Sequence, residues 1–259
     1  ISLGLVGSEM CIRDRYMRTA YKRVIWEFGW CREIEEKHTG NFGARGQKRQ
    51  KRRKATKEEI ARHNQWKRER DVRRLIKWNF GEHDYWATLT YEKGYRPSIE
   101  EIRKDMDTMI RKTRTEYRKA GQELKYIYRV EIGKNGGLHI HILINRFATE
   151  KTATDLILAS LWTKGHVNFK TTYNEGGYQK LAEYITKPTK GPENAYTKNY
   201  HPSRNLIRKD PEEKTINRRS LLDKKRKPIT PKAPKGYYIE PDSIKMGINP
   251  VTGLSLIHI

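Results

Sequence analysis

Hydrophobic and polar positions alternate most clearly over Tyr85 to Tyr91 (YWATLTY), where Tyr85, Ala87, Leu89 and Tyr91 fall on one face and Trp86, Thr88 and Thr90 on the other. A period of two in an aromatic and β-branched run predicts a strand. Before it, residues 56 to 79 read as a long polar helix, opened by a capping box of Thr56 and Glu59, with Ile60, Trp66, Val72, Leu75 and Ile76 as sparse apolar positions. After it, Ser98 and Glu101 form a second capping box, and Ile99, Ile102, Met106, Met109, Ile110, Thr113 and Tyr117 recur at helical spacing. Two strands follow, Leu124 to Ile132 and Leu138 to Asn145, joined by the turn sequence Gly133-Lys134-Asn135-Gly136-Gly137. A helix over about Thr149 to Trp162, a strand from His166 to Lys170 and a helix from Gly177 to Lys187, stopped by Pro188, complete the series. The expected order is β-α-β-β-α-β-α. Its first six elements form the split β-α-β pattern, an α+β fold with an antiparallel sheet, helices on one face and the other face free for a site.

Composition adds a partner to this picture. The 259 residues carry 55 Lys and Arg against 31 Asp and Glu, a formal net charge of +24 with pI near 10, and only 35% are hydrophobic. Such an excess points to a polyanion. The longest apolar runs, such as Ile140 to Ile144 broken by His141, are far below the roughly 20 residues of a bilayer span, so no membrane role is expected. Two cysteines exclude a disulfide scaffold. The charge is concentrated in the flanks, densest at Gln47 to Lys54 (QKRQKRRK) and again at Lys224 to Lys227, and the middle of the chain is nearly balanced. Lys51, Arg52 and Arg53 are therefore candidates for contact with a phosphate backbone, and binding should be steeply salt-dependent.

Both ends read differently from the rest. Residues 1 to 16 and 254 to 259 resemble translated sequencing-adapter sequence, which makes Met17 the expected start and places the natural C-terminus beyond this sequence. The expected organisation is a basic helical N-terminal extension over 17 to 80, a core domain over 81 to 188, and a basic Pro-rich tail over 189 to 253.

Alternation puts His139 and His141 on one face of their strand and Leu138, Ile140, Ile142 and Ile144 on the other. If the hairpin closes about Asn135, Glu131 lies opposite His139 and Arg129 opposite His141. Two imidazoles and a carboxylate on a rigid hairpin would form an open site for Mg2+ or Mn2+. A His-x-His pair by itself reads as surface decoration more often than as a ligand pair, and the facing Glu131 brings the two readings level. In the last helix Tyr178, Leu181, Ala182 and Ile185 form the apolar face, leaving Lys180, Tyr184 and Lys187 on another, where the cations would favour a phenolate. Alone, Tyr184 reads as an ordinary half-buried helix tyrosine.

Read in order, WATLTY (86 to 91), EIGKNGGLHIHILIN (131 to 145) and YQKLAEYITK (178 to 187) resemble the three motifs of HUH endonucleases of the rolling-circle replication-initiator class, and most of all the gene II-type proteins of filamentous phages. The resemblance implies that His139 and His141 bind a divalent metal, with Glu131 placed for the third ligand. It implies that Tyr184 is the nucleophile, with Lys187 beside it. It further implies nicking of one strand of single-stranded or supercoiled origin DNA through a 5′-phosphotyrosine link, a free 3′-OH for a host polymerase, and later rejoining, in the cytoplasm of a bacterial host. No phosphate-binding G-x-x-x-x-G-K-[ST] loop occurs, so unwinding falls to a host helicase and no small-molecule cofactor is expected. Arg129, Lys180, Trp86, Thr88 and Thr90 are candidates for DNA contact, Trp86 by base stacking. The alternatives are a single-tyrosine HUH transposase, which keeps the same motif order, and a non-catalytic basic module on a sheet of the RNA-recognition type.

Overall fold

The computed structural model describes residues 21–38, 54–133, 137–173, 175–188, 200–216, 229–248 and 255–258. The chain divides into two compact units, Trp66–Arg208 and the pair of segments Ile1–Gln65 and Lys209–Ile259.

The first of these holds the candidate chemistry. Its elements are the C-terminal part of helix α1 (Lys57–Asn79), strand β3 (Tyr85–Thr90), helix α2 (Ile99–Lys119), strands β4 (Tyr126–Ile132) and β5 (Leu138–Ile144), helix α3 (Thr154–Leu161), strand β6 (Val167–Thr171), helix α4 (Gln179–Thr186) and the short strand β7 (His201–Pro202). The strands form one sheet in the order β6-β3-β5-β4-β7, every neighbouring pair antiparallel. β5 therefore sits between β3 and β4, the interleaving expected when a helix connects β3 to β4 and a hairpin returns the chain. Both capping boxes are present, at Thr56 with Glu59 and at Ser98 with Glu101.

The two faces of the sheet are packed by different helices. Tyr85, Ala87 and Leu89 of β3, Val130 of β4 and Ile140, Ile142 and Ile144 of β5 meet Ile102, Met106, Met109 and Ile110 of α2 and Ile157 and Leu158 of α3. Leu89, Ile140 and Met106 are completely buried, and each such side chain contributes roughly 1.5–3 kcal/mol by leaving water. The opposite face was expected to be open, and half of it is not. Ile127 and Leu143 pack there against Val72, Leu75 and Ile76 of α1 and Ala182 and Ile185 of α4. An apolar pair on an otherwise polar sheet face is the cause: it needs a cover, and the amphipathic α4 supplies it. The remaining half of that face is polar and open.

One close approach fixes a glycine. A Cβ on Gly165 would lie 2.2 Å from the carbonyl oxygen of Thr90, so any side chain at this position displaces the end of β3.

The other unit corrects the expected helical extension and tail. β1 (Tyr21–Glu27) and β2 (Arg32–His38) form an antiparallel hairpin, and β8 (Glu212–Ile216), β9 (Lys245–Ile248) and β10 (Ser255–His258) complete a five-stranded sheet in the order β8-β1-β2-β10-β9. Charged sequences such as REIEEKH (residues 32 to 38) and EEKTI (212 to 216) carry no apolar alternation; opposite charges face each other at Arg23–Glu36 and Glu27–Arg32, while Lys22 faces Lys37 and Arg23 faces Lys214. Lys22 meets Glu213 at 2.6 Å and Arg23 meets Glu36 at 2.5 Å. Lys51, Arg52 and Arg53, the Lys224 to Lys227 run and residues 1 to 16 lie outside the described residues. No helix among the described residues is long and apolar enough to cross a membrane.

Candidate active site

The hairpin closes in the register its turn sequence predicts. Glu131 pairs with His139 and Arg129 with His141. Pairing with β3 extends each rung by one residue, since Thr88 faces His141 and Thr90 faces His139. The open half of the sheet therefore carries two rows across three strands, Thr88-His141-Arg129 and Thr90-His139-Glu131. Above these rows α4 places Tyr184.

Tyr184 is seated directly on the hairpin. Its hydroxyl donates to the Glu131 carboxylate through Oε2 and lies 2.9 Å from Nε2 of His141. His141 Nε2 is itself 3.5 Å from Glu131 Oε2, and the exposed Lys187 ammonium is 4.0 Å from Glu131 Oε1. Thr88, Glu131, Gly133, His139, His141, Tyr184 and Lys187 together line an open groove of about 550 Å3.

The electrostatics follow from burial and from the one carboxylate. Burial pulls the His141 imidazole down to about 4, against the opposing pull of Glu131, so the ring is neutral at pH 7 and keeps a lone pair. Burial works to raise Glu131, but the Tyr184 hydrogen bond and the charges of Arg129 and Lys187 outweigh it and hold the carboxyl below its usual range. Tyr184 is pushed above the usual tyrosine range, first by burial and then by its hydrogen bond to an anion. The carboxylate thus stabilises the protonated phenol.

Four of the residues expected to contact DNA help to frame this site. Arg129 is 2% exposed, so it is not a surface cation. Its Nη1 donates to the carbonyl of Tyr184, which also accepts from the Lys187 amide at 3.4 Å, and, at 3.2 and 3.3 Å, to those of Ile185 and Lys187 at the C-terminal end of α4. The guanidinium also lies 5.5 Å from the Tyr184 ring centre. Trp86 stacks on His141 with ring centres 5.5 Å apart and planes within 3°, and presents an edge to Tyr184, so that face is not open to a base. Thr88 Oγ1 lies 3.1 Å from His141 Nδ1, which fixes the ring and turns Nε2 toward Tyr184. The Thr90 hydroxyl donates to the His166 carbonyl and accepts from its amide, tying β3 to the segment leading into β6. Lys180 is exposed on α4 and does not line the groove.

His139 is the loosest member. Its ring centre is 6.4 Å from that of His141, and among the described residues no group of three His, Cys, Asp or Glu side chains is gathered to hold a metal ion. The donor chemistry of two imidazoles and a carboxylate nevertheless suits a divalent cation. Room for His139 comes from Gly133, where a Cβ would lie 2.9 Å from His139 Nε2.

A shared hairpin register, a tyrosine seated on it and the order strand, hairpin, helix can be set against known proteins. Residues 84–189 match the family of the replication-associated protein ORF2 and gene II protein. The matched region begins just before β3 and ends just after α4, so it contains every residue of the groove. No curated protein and no solved structure matches the chain.

What sequence reading missed is the structural use of Arg129, Thr88 and Gly133. The one available signal was position: Arg129 and Thr88 flank His141 on adjacent strands once the register is known.

Proposed function

We propose that the protein starts rolling-circle replication by nicking one DNA strand, with Tyr184 as nucleophile. The observation that carries this reading is the Tyr184 hydroxyl seated on Glu131 and His141 at the mouth of an open groove, within the region that matches the replication-associated family. The Tyr184 oxygen attacks the scissile phosphorus as the bond from phosphorus to the 3′ oxygen breaks. The phenol loses its proton, the departing 3′ oxygen gains one, and a 5′-phosphotyrosine and a free 3′-OH result. Reversal of the same step rejoins the strand.

The chain's own residues supply position and charge. Arg129 holds the end of α4 and so sets the height of Tyr184 over the sheet. Thr88 and Trp86 hold the His141 ring. Glu131 accepts the phenol's hydrogen bond. Lys187, at the rim, faces the charge that develops on the phosphate and on the phenolate. His139, His141 and Glu131 would hold Mg2+ or Mn2+, which supplies positive charge to the non-bridging phosphate oxygens.

The test is to incubate the protein with labelled single-stranded DNA from its own replicon and Mn2+ or Mg2+, then resolve the products on denaturing gels beside Tyr184→Phe and an EDTA control. A covalent adduct that needs metal and disappears in Tyr184→Phe is expected. Binding without an adduct in either metal, across the whole replicon, would overturn the nicking reading in favour of a non-catalytic DNA-binding module.

A further inference from the structure

A second cavity, of about 440 Å3, opens on the other side of His139. Gly133 and His139 line both it and the Tyr184 groove, so the two adjoin at the end of the hairpin. Its outer wall is the loop between β3 and α2, from Glu92 to Arg96, and its volume is that of a small-molecule site.

The loop holds an aromatic ring in place at the rim. Tyr95 is 44% exposed, yet its hydroxyl donates to Glu101 Oε1 at 3.4 Å and its ring centre lies 5.8 Å from that of Tyr91. Glu101 is in turn fixed by the α2 capping box, where it accepts from the Ser98 amide at 2.7 Å. Tyr91 is anchored below by Trp162, with ring centres 5.2 Å apart. Gly94, at φ +91°, provides the reversal that brings Tyr95 back to the rim. An exposed ring held by a ring beneath it and by a hydrogen bond at its far end is a stacking platform whose ordering cost has already been met by folding. Lys93 and Arg96 flank it in the same wall.

We infer that this cavity receives the nucleotide next to the scissile phosphate, its base on the Tyr95 ring and its phosphate toward Lys93 and Arg96. The inference rests on the nicking reading only for the position of the scissile phosphate. A π-face takes any base, so the site positions the strand more than it reads sequence, and its contribution is to binding.

The experiment uses the full chain carrying Tyr184→Phe, so that no covalent product forms. A twelve-residue thymidine oligonucleotide with 5-iododeoxyuridine at successive positions is irradiated with the protein, and cross-links are mapped by mass spectrometry. Fluorescence anisotropy then compares binding of the plain oligonucleotide, and of one with abasic sites, to Tyr95→Ala and Tyr95→Phe. The expected results are a cross-link at Tyr95 and a roughly 5- to 100-fold loss of affinity in Tyr95→Ala. Tyr95→Phe should retain most of the affinity, and the abasic strand should bind Tyr95→Ala and the parent alike. Cross-links confined to other residues, with Tyr95→Ala binding as the parent does, would overturn the inference. If the Tyr184 protein still forms its adduct in that case, the nicking reading stands and the pocket reading alone fails. A Tyr95 cross-link without any adduct in the Tyr184 protein would show the converse.

Discussion

Removing the Arg129 guanidinium should loosen the nucleophile's helix before it loosens the fold. All three carbonyl contacts are made by one nitrogen, Nη1, which has two hydrogens to share, so they amount to one strong charge-assisted bond and two weaker shared ones. A hydrogen bond from a charged donor contributes about 1.5–3 kcal/mol net, and a cation at a helix C-terminus adds a few tenths to about 1 kcal/mol. Arg129→Met keeps the buried volume roughly constant and takes the guanidinium donor from the carbonyls at the end of α4, of which that of Tyr184 keeps the 3.4 Å bond from the Lys187 amide. The expected loss is therefore about 2–4 kcal/mol in local stability. At about 1.4 kcal/mol per tenfold change, amide hydrogen exchange over residues 179 to 187 should quicken roughly 30- to 700-fold. Arg129→Lys retains the charge but reaches the carbonyls as a single point, and should fall between the two. Adduct formation should drop with the helix even though Arg129 touches no reacting atom. Unchanged exchange over α4 in Arg129→Met would refute the clamp, whatever happens to activity.

Other outcomes follow from the same geometry. Thr88→Val removes the hydroxyl beside His141 Nδ1 at nearly constant shape, and should change the imidazole tautomer seen by nitrogen NMR and weaken Mn2+ binding about 10- to 100-fold, with Thr88→Ser restoring both. Gly165→Ala must displace the end of β3 and should cost about 3 kcal/mol or more in urea unfolding, whereas alanine at the open Gly81 should cost little. Burial raises the Asp84 carboxyl even though it accepts from the Gly81 and Arg146 amides. A raised carboxyl contributes stability that is complete below about pH 4 and is lost as pH rises through the folded-state value. The stability gap between the parent and Asp84→Asn should accordingly be wider at pH 3.5 than at pH 7.5, and a gap that widens with pH would contradict the sign. Neutralising Lys51, Arg52 and Arg53 together should flatten the salt dependence of single-strand binding, by about 2 in the slope of log K against log salt if all three contact phosphate.

The hairpin was legible because two independent signals agreed there. Alternation separated His139 and His141 from Ile140 and Ile142, the glycine-rich turn set the loop length, and together they fixed Glu131 opposite His139. The role of Arg129 was not legible. An arginine on a polar strand face reads as exposed, and the carbonyls it caps lie 55 residues away on a helix whose seat depends on Ile127 and Leu143. The Trp86 face was read as a DNA surface for the same reason, since pattern separates faces but does not say which neighbour covers them. The β1–β2 hairpin escaped notice because REIEEKH has no periodic apolar trace, the buried Val24 and Trp26 lying on its partner strand. Helix α4 begins at Gln179, two residues later than its apolar spacing indicates, because Gly176, Gly177 and Tyr178 all take left-handed backbone angles just before it.

Arg129 and Glu131 stand two residues apart on β4, and His141 faces the first of them on β5. One ribbon thus grips the nucleophile's helix and also carries the groups the nucleophile acts with. Bending or twisting of the sheet displaces both by nearly the same vector, so the spacing between the Tyr184 oxygen and its neighbours is insulated from motions that move either of them in absolute terms. The site resembles an optical bench in this respect: alignment is preserved by common mounting.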